Sequence, residues 1–126
     1  MATLNTTSQQ QILAPIIVGQ VVLGSQSAAI NPTVIVPNAA AGLYRYNMVI
    51  VITTLGLSTL TANAICTDAA KAETIAVLNG VSVVATGTFQ GMALVENINA
   101  ANLSYSVTLG GTGAVWNLYV IVERLF

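Results

Sequence analysis

Apolar and polar residues alternate with a period of two along much of this chain, in short runs separated by turn residues. The clearest run extends from Leu43 to Thr54. One of its faces consists of Tyr44, Tyr46, Met48, Ile50 and Ile52. Alternate side chains of an extended strand point to opposite sides, so this face is expected to be buried along its whole length. The other face changes from polar to apolar, and we expect it to be covered only at its far end.

The same pattern predicts eight or nine short strands, spaced about ten residues apart. They are expected over residues 12–23, 28–36, 43–54, 58–67, 74–78, 81–86, 88–97, 103–109 and 114–125. Residues 1–11 are polar, uncharged and without periodicity, which predicts a flexible N-terminal arm. The predicted fold class is therefore all-β: a single-domain β-sandwich of the jelly-roll type over residues 12–126, with about eight strands.

Turn residues add local detail to these strands. Pro15 and Gly19 interrupt the first apolar run, which predicts either an edge strand or two short strands. The pair Asn79-Gly80 is a strong hairpin signal, and Gly91 within a strand predicts a bulge. Residues 68–73 combine three charges with three alanines and predict an exposed loop or one helical turn.

The composition supports strands and leaves the chain short of charge. There are 16 Val, 11 Ile and 14 Thr, about a third of the 126 residues, and branching at Cβ favours extended backbone. Only seven residues are charged and none is histidine, whereas about thirty charges would be usual for this length. The surface is therefore expected to be buried against other subunits, to lie in lipid, or to consist of uncharged polar residues.

The window from Tyr46 to Cys66 contains no charge and is long enough for a membrane-spanning helix. It is rich in Thr and Asn, its apolar centre is β-branched, and no Lys or Arg cluster flanks it. We therefore expect strands here and no membrane partner. The segment before the first apolar run carries no Lys or Arg, so no signal peptide is predicted.

The residues offer little catalytic chemistry. Without histidine there is no base to activate Cys66 or a Ser or Thr hydroxyl, and Cys66 is expected to be a small buried hydrophobe. Scattered carboxylates give no metal-ligand spacing, although a Ca²⁺ site between Asp68 and Glu73 is a weak alternative. The sequence Gly110-Gly111-Thr112-Gly113 lacks the lysine and helix of a phosphate loop and predicts a turn. We expect no enzyme activity and no cofactor or metal.

Nucleic acid is not an expected partner either, because two Arg and one Lys cannot form a basic patch. The aromatic residues are expected in the core or at its rim, with some as anchors between subunits and a carbohydrate-binding platform as the weaker alternative. The predicted interface residues are Tyr44, Arg45, Tyr46, Trp116, Tyr119 and Glu123. Arg45 is expected either to pair with Glu123 or Glu96, or to be a rim arginine whose stem covers apolar surface.

Two segments carry a resemblance to a known group of proteins. GLYRYNMVIVITT at residues 42–54 and GGTGAVWNLYVIVERLF at residues 110–126 resemble small jelly-roll structural proteins of tailed bacteriophages. That group includes capsid decoration (cement) proteins and the modules of head fibres and tail tips. The resemblance implies a homotrimer on the capsid surface of a virion, assembled in the host cytoplasm, with the major capsid protein or another virion protein as partner.

Three functions stay open, two from the resemblance and one from the apolar, charge-poor composition. The first is a decoration protein that stabilises the phage head. The second is a tail or head-fibre module that binds a host-surface receptor, and the third is a membrane-associated protein.

Overall fold

The computed structural model describes residues 15–56, 59–68 and 71–126. These residues form eight strands and no helix, which confirms the predicted fold class. The strands are β1 (Ile16–Gln26), β2 (Ile30–Ala39), β3 (Gly42–Thr54), β4 (Thr59–Asp68), β5 (Lys71–Ser82), β6 (Gly87–Asn97), β7 (Ala101–Leu109) and β8 (Val115–Arg124). The predicted arm at residues 1–11 lies outside the described residues.

The strands pair in a nested order. β1 pairs with β8, β2 with β7, β3 with β6 and β4 with β5, all antiparallel, so the first half of the chain runs back along the second half. Two further pairings, β3 with β8 and β4 with β7, join these ribbons into a front sheet of order β1-β8-β3-β6 and a back sheet of order β2-β7-β4-β5. A long antiparallel ribbon rolled into two facing sheets is the jelly roll.

The core lies between the two sheets and is centred on β3 and β8. The predicted inner face of β3 is buried throughout, from Tyr44 to Ile52. Beside it in the same sheet lie the inner residues of β8, which are Trp116, Leu118, Val120 and Val122, each 0% exposed. The back sheet adds both small residues, such as Ala62 and Ala64, and large ones, such as Leu60 and Leu103, to the same buried cluster. Side chains of different size can fill a core to the density of a close-packed interior.

Glycines close the sandwich along both of its sides. Gly19 lies on edge strand β1, where an added Cβ would be 2.8 Å from Val36 Cγ2 and 3.1 Å from the Ile35 carbonyl oxygen. Gly91 lies on the opposite edge strand, β6, where an added Cβ would be 2.6 Å from the Val77 carbonyl oxygen. At each side, the absence of a side chain lets a front-sheet edge strand approach the backbone of the back sheet.

Several local predictions need correction. Asn79-Gly80 is not a hairpin: β5 continues through it, and its pairing with β4 shifts there, so the two residues form a bulge. The positive φ of Gly80 (64°) serves that bulge, and the Gly80 amide donates a hydrogen bond to Thr61 Oγ1 (3.1 Å). Gly91, by contrast, lies in an uninterrupted register with β3 and marks no bulge.

Of two other local predictions, the structure contradicts the first and agrees with one alternative of the second. Of residues 68–73, Asp68 ends β4 and residues 71–73 begin β5, so these four are strand and neither loop nor helical turn. Lys71 pairs directly with Asp68 at the end of the ladder, and residues 69–70 lie outside the described residues. From Ile16 onward the first run is one continuous edge strand, which is the first of the two alternatives that Pro15 and Gly19 left open. Residues 12–14 of that run lie outside the described residues.

The apolar window from Tyr46 to Cys66 falls on strands β3 and β4. Within the described ranges, no helix is long and apolar enough to cross a membrane.

Candidate interaction surface

The outward-pointing side of the front sheet, here called the outer face, carries most of the exposed apolar residues found in strands. Met92 and Leu94 on β6 are 56% and 53% exposed, and Ile17 and Val22 on β1 are 59% and 60% exposed. Tyr119, Ile121 and Val49 lie between these two flanks, on the central strands. The outer face therefore carries exposed apolar residues on both edge strands, interspersed with polar residues such as Gln20 and Gln90.

Three polar side chains form a cluster at that centre. Glu123 Oε1 accepts hydrogen bonds from Arg45 Nε (3.1 Å) and Asn47 Nδ2 (2.7 Å), and it lies 3.0 Å from Arg45 Nη2. The strand register produces this cluster, because Arg45 on β3 is the direct cross-strand partner of Glu123 on β8. Opposite charges at paired positions attract each other on one face of a sheet.

The pairing of Arg45 with Glu123 was one of two partners expected from the sequence, and the structure confirms it. The side chains keep 33% and 19% of their exposure, so the pair is partly shielded from water. Its two charges cancel, which makes the centre of the outer face nearly neutral. All three contacts converge on Glu123 Oε1, and they involve neither Glu123 Oε2 nor Arg45 Nη1.

The other predicted interface residues divide between the core and the surface. Tyr44, Tyr46 and Trp116 are buried between the sheets, at 2%, 0% and 0% exposure, and offer no surface to a partner. Tyr119, at 37%, lies on the outer face. Of the six predicted residues, Arg45, Tyr119 and Glu123 are thus brought together on one accessible face.

The buried tyrosines hold the sandwich together through their hydroxyl groups. Tyr44 donates to the Ala40 carbonyl (2.6 Å), and the Tyr46 hydroxyl lies 2.9 Å from the Ser104 carbonyl oxygen and 3.3 Å from that of Ile65. Ile65 and Ser104 are the last paired residues of β4 and β7, so Tyr46 bridges the strands where they separate.

Burial also affects the ionisation of two tyrosines. Removal from water disfavours the phenolate and raises the pKa of Tyr46 well above its ordinary value, and nearby Cys66 adds to the effect. Burial likewise raises the pKa of Tyr105, and a hydrogen bond with Thr33 offsets part of this rise. Both side chains remain neutral at physiological pH and act as structural hydrogen-bonding groups.

The described residues offer few features of a small-molecule site. None of their His, Cys, Asp or Glu side chains form a group of three or more that could hold a metal ion. A surface cavity of about 250 Å³ is lined by Gly42, Leu43, Glu96 and Phe126. It is smaller than the usual 300–1,000 Å³ of ligand pockets and has one ionisable side chain in its lining.

The apolar flanks of the outer face were not among the interface residues predicted from the sequence. A signal for one of them was present: in β6, both sets of alternate residues contain large apolar members, with Phe89 and Val95 on one side and Met92 and Leu94 on the other. A strand that is apolar on both sides is expected to be covered on both sides. The flank on β1 was hidden, because the register shift between Ile17 and Gly19 breaks the alternation.

Comparisons with known proteins identify the fold. No protein-family model and no curated protein sequence matches the chain. Among solved structures, it is similar to the N-terminal CBM22-1 and GH10 modules of endo-1,4-β-D-xylanase 10B from Clostridium thermocellum, complexed with xylohexaose. That match has a TM-score of 0.50 and 14% sequence identity, and it covers 87% of this chain and 25% of the xylanase chain.

Two structures of infectious bursal disease virus are similar to the same degree. The Gx strain particle matches with a TM-score of 0.51 and 12% identity, over 89% of this chain and 31% of the viral chain. The VP2 subviral particle matches with a TM-score of 0.51 and 11% identity, over 89% and 32%. This chain spans a quarter to a third of the length of these proteins, and at such low identity the likeness establishes the small jelly-roll fold alone.

Proposed function

We propose that this chain is a non-enzymatic structural protein of a virion, of the decoration type that binds to the outside of a phage head and stabilises it. The observation that carries the proposal is the outer face, where exposed apolar residues surround a self-neutralised ion pair. Exposed apolar patches of this kind mark protein–protein contacts. The jelly-roll fold, which also occurs in the VP2 particle of infectious bursal disease virus, is compatible with this role.

Stabilisation would come from many equivalent contacts. A decoration protein is bound at repeated sites on the shell, so modest apolar burial at each site adds up across the particle. The resemblance to phage modules supports a homotrimer, with the major capsid protein or another virion protein as its partner. Because three basic residues cannot neutralise many phosphates, nucleic acid has no part in this mechanism.

The test is the location and number of copies in purified virus particles, measured by quantitative mass spectrometry and by labelling in electron microscopy. Hundreds of copies on the head are expected. A few copies confined to the tail would contradict the decoration role and favour the alternative, a module that binds a host-surface receptor. Absence of the chain from the particle would contradict both.

A second experiment concerns the polar N-terminal segment. Deletion of residues 1–11 is expected to weaken attachment to the shell and to leave the native mass and the strand content of the free protein unchanged. Attachment can be measured by co-sedimentation of the purified protein with undecorated heads. Unchanged co-sedimentation would contradict this role for the segment.

A further inference from the structure

We propose that the outer face is a contact between two copies of this chain, related by a two-fold axis that runs parallel to the strands. This inference rests on the proposed function and deepens it: the outer face joins copies of the chain to each other within the assembly, and the shell is bound by other surfaces of that assembly. It begins with one row of residues across the front sheet. Pairing between the strands aligns Ile17 of β1 with Glu123 of β8, Glu123 with Arg45 of β3, and Arg45 with Leu94 of β6.

This row is self-complementary. Across the sheet it runs apolar, acidic, basic, apolar, from Ile17 to Leu94. A rotation of 180° about an axis parallel to the strands leaves each residue at the same position along the strand direction. It reverses the left-to-right order of the four strands, so the second copy presents the same row in reverse order. Leu94 then lies over the second copy's Ile17, and Arg45 lies over the second copy's Glu123. An isologous contact of this kind makes every interaction twice.

The polar cluster has unused hydrogen-bonding capacity for such a contact. Within one copy, the interactions of the pair converge on Glu123 Oε1 and do not involve Glu123 Oε2 or Arg45 Nη1. Across the two-fold axis these two groups would complete a ring of two arginines and two glutamates. A ring of alternating charges satisfies groups that an apolar partner would leave buried and unpaired.

A second row and the size of the face fit the same arrangement. Two rows further along, Tyr119 is paired with Val49, so inversion of that row places the aromatic ring over the second copy's Val49. The row between them, in which Ile121 is paired with Asn47, instead brings an apolar residue over a polar one. Four strands about 4.8 Å apart, each about ten residues long at 3.4 Å per residue, give a flat area of roughly 600 Å². Stable interfaces bury about 800 Å² of accessible surface on each partner, and projecting side chains raise the accessible area above the flat value. Two sheets packed face to face, with strands nearly aligned, are a common packing.

The first test uses a matched pair of substitutions at exposed apolar residues. Met92→Glu places a charge on the outer face, whereas Val84→Glu places one at a residue 64% exposed in the connection after β5. Light scattering after size exclusion should give Met92→Glu half the native mass of the wild type and Val84→Glu the full mass. This ratio holds whether the pairing joins single chains or trimers, so it is separate from the trimer proposal. Equal masses for all three proteins would overturn the pairing.

The second test examines the geometry by exchanging charges. Arg45→Glu leaves two acidic groups at the centre of the face, and Glu123→Arg leaves two basic groups, so each variant alone should fall to half the wild-type mass. An equimolar mixture should recover the full mass, because residue 45 of one variant faces residue 123 of the other with opposite charge. Circular dichroism confirms that each variant is folded. A mixture of folded variants that stays at half mass would overturn the two-fold arrangement.

Discussion

A side chain added at either glycine that closes the sandwich, Gly19 or Gly91, should destabilise the protein, and the distances around each glycine indicate by how much. At Gly91, a Cβ would lie 2.6 Å from the Val77 carbonyl oxygen and 3.0 Å from Leu78 Cδ2. Real Cβ contacts essentially never fall below 3.0 Å, so in Gly91→Ala β6 and β5 must separate by a few tenths of an ångström. The obstacle is backbone and cannot rotate away. Overpacking of this kind costs about 1–3 kcal/mol.

The chain contains a control within the same strand. At Gly87 the nearest atom to an added Cβ is Phe89 Cε2, at 3.8 Å, which is an ordinary contact distance. Replacement of glycine by alanine without a clash restricts the unfolded chain and stabilises a protein by about 0.4–1 kcal/mol. We therefore expect Gly87→Ala to be neutral or slightly stabilising. In Gly91→Ala the same restriction of the unfolded chain offsets part of the cost of overpacking. That variant should therefore lose about 1–2 kcal/mol of its free energy of unfolding.

The first strand provides a second matched pair. Gly19→Ala meets Val36 Cγ2 at 2.8 Å, whereas Gly24→Ala meets its nearest neighbour, Asn117 Oδ1, at 3.8 Å. Urea unfolding, followed by tryptophan fluorescence at one fixed protein concentration, gives the four free energies of unfolding. We expect Gly91→Ala and Gly19→Ala to be less stable than their partners. Equal stability within both pairs would refute the argument that these glycines close the sandwich.

Three further predictions concern a buried hydroxyl, a bulge and the ion pair. Tyr46→Phe should cost about 1–3 kcal/mol, because carbonyl oxygens lose a buried donor. Burial raises the pKa of Tyr46, so above about pH 10 the unfolded state releases a proton that the folded state keeps, and the wild type should lose stability there. The difference in free energy of unfolding between the wild type and Tyr46→Phe, measured in urea, should therefore shrink as the pH rises. A difference that stays constant would contradict this. Gly80→Ala should cost about 1 kcal/mol from the positive φ of 64° alone, since nothing lies within 4 Å, and Gly80→Asn should cost less; equal thermal stabilities of the two variants would argue against conformational strain. Glu123→Ala should destabilise the fold by about 1 kcal/mol, because Arg45 and Asn47 lose their common acceptor. Glu96→Ala, at an exposed site, should change the free energy of unfolding by no more than about 0.5 kcal/mol. An equal loss for both variants in urea unfolding would contradict a specific role for Glu123.

The strands were predictable where one physical signal dominated. Alternation along β3 identified its buried face residue by residue, because the period of two is a direct consequence of strand geometry. The pairing of Arg45 was also foreseeable, since a lone charge among apolar neighbours requires a partner. Its choice of Glu123 over Glu96 depended on the register between β3 and β8, which is a long-range property.

Other features depend on contacts that the local sequence does not contain. Asn79-Gly80 signals a positive φ, and a hairpin and a bulge satisfy that requirement equally well. The choice between them is made by β4, whose pairing with β5 extends from Asp68 to Thr59 on both sides of the bulge. In the same way, Tyr46 could have served a surface, but its hydroxyl group finds carbonyl oxygens of β4 and β7 inside the core.

The native mass of the purified chain in detergent-free buffer, by light scattering after size exclusion, tests the central claim that this protein works as an assembly. We expect a discrete particle with an even number of 13.0 kDa copies, which means twice the mass of the chain for a pair or six times that mass for two paired trimers. A particle of three times the chain mass would support the trimer and contradict the pairing through the outer face. A single species of 13.0 kDa at every protein concentration would contradict the claim itself.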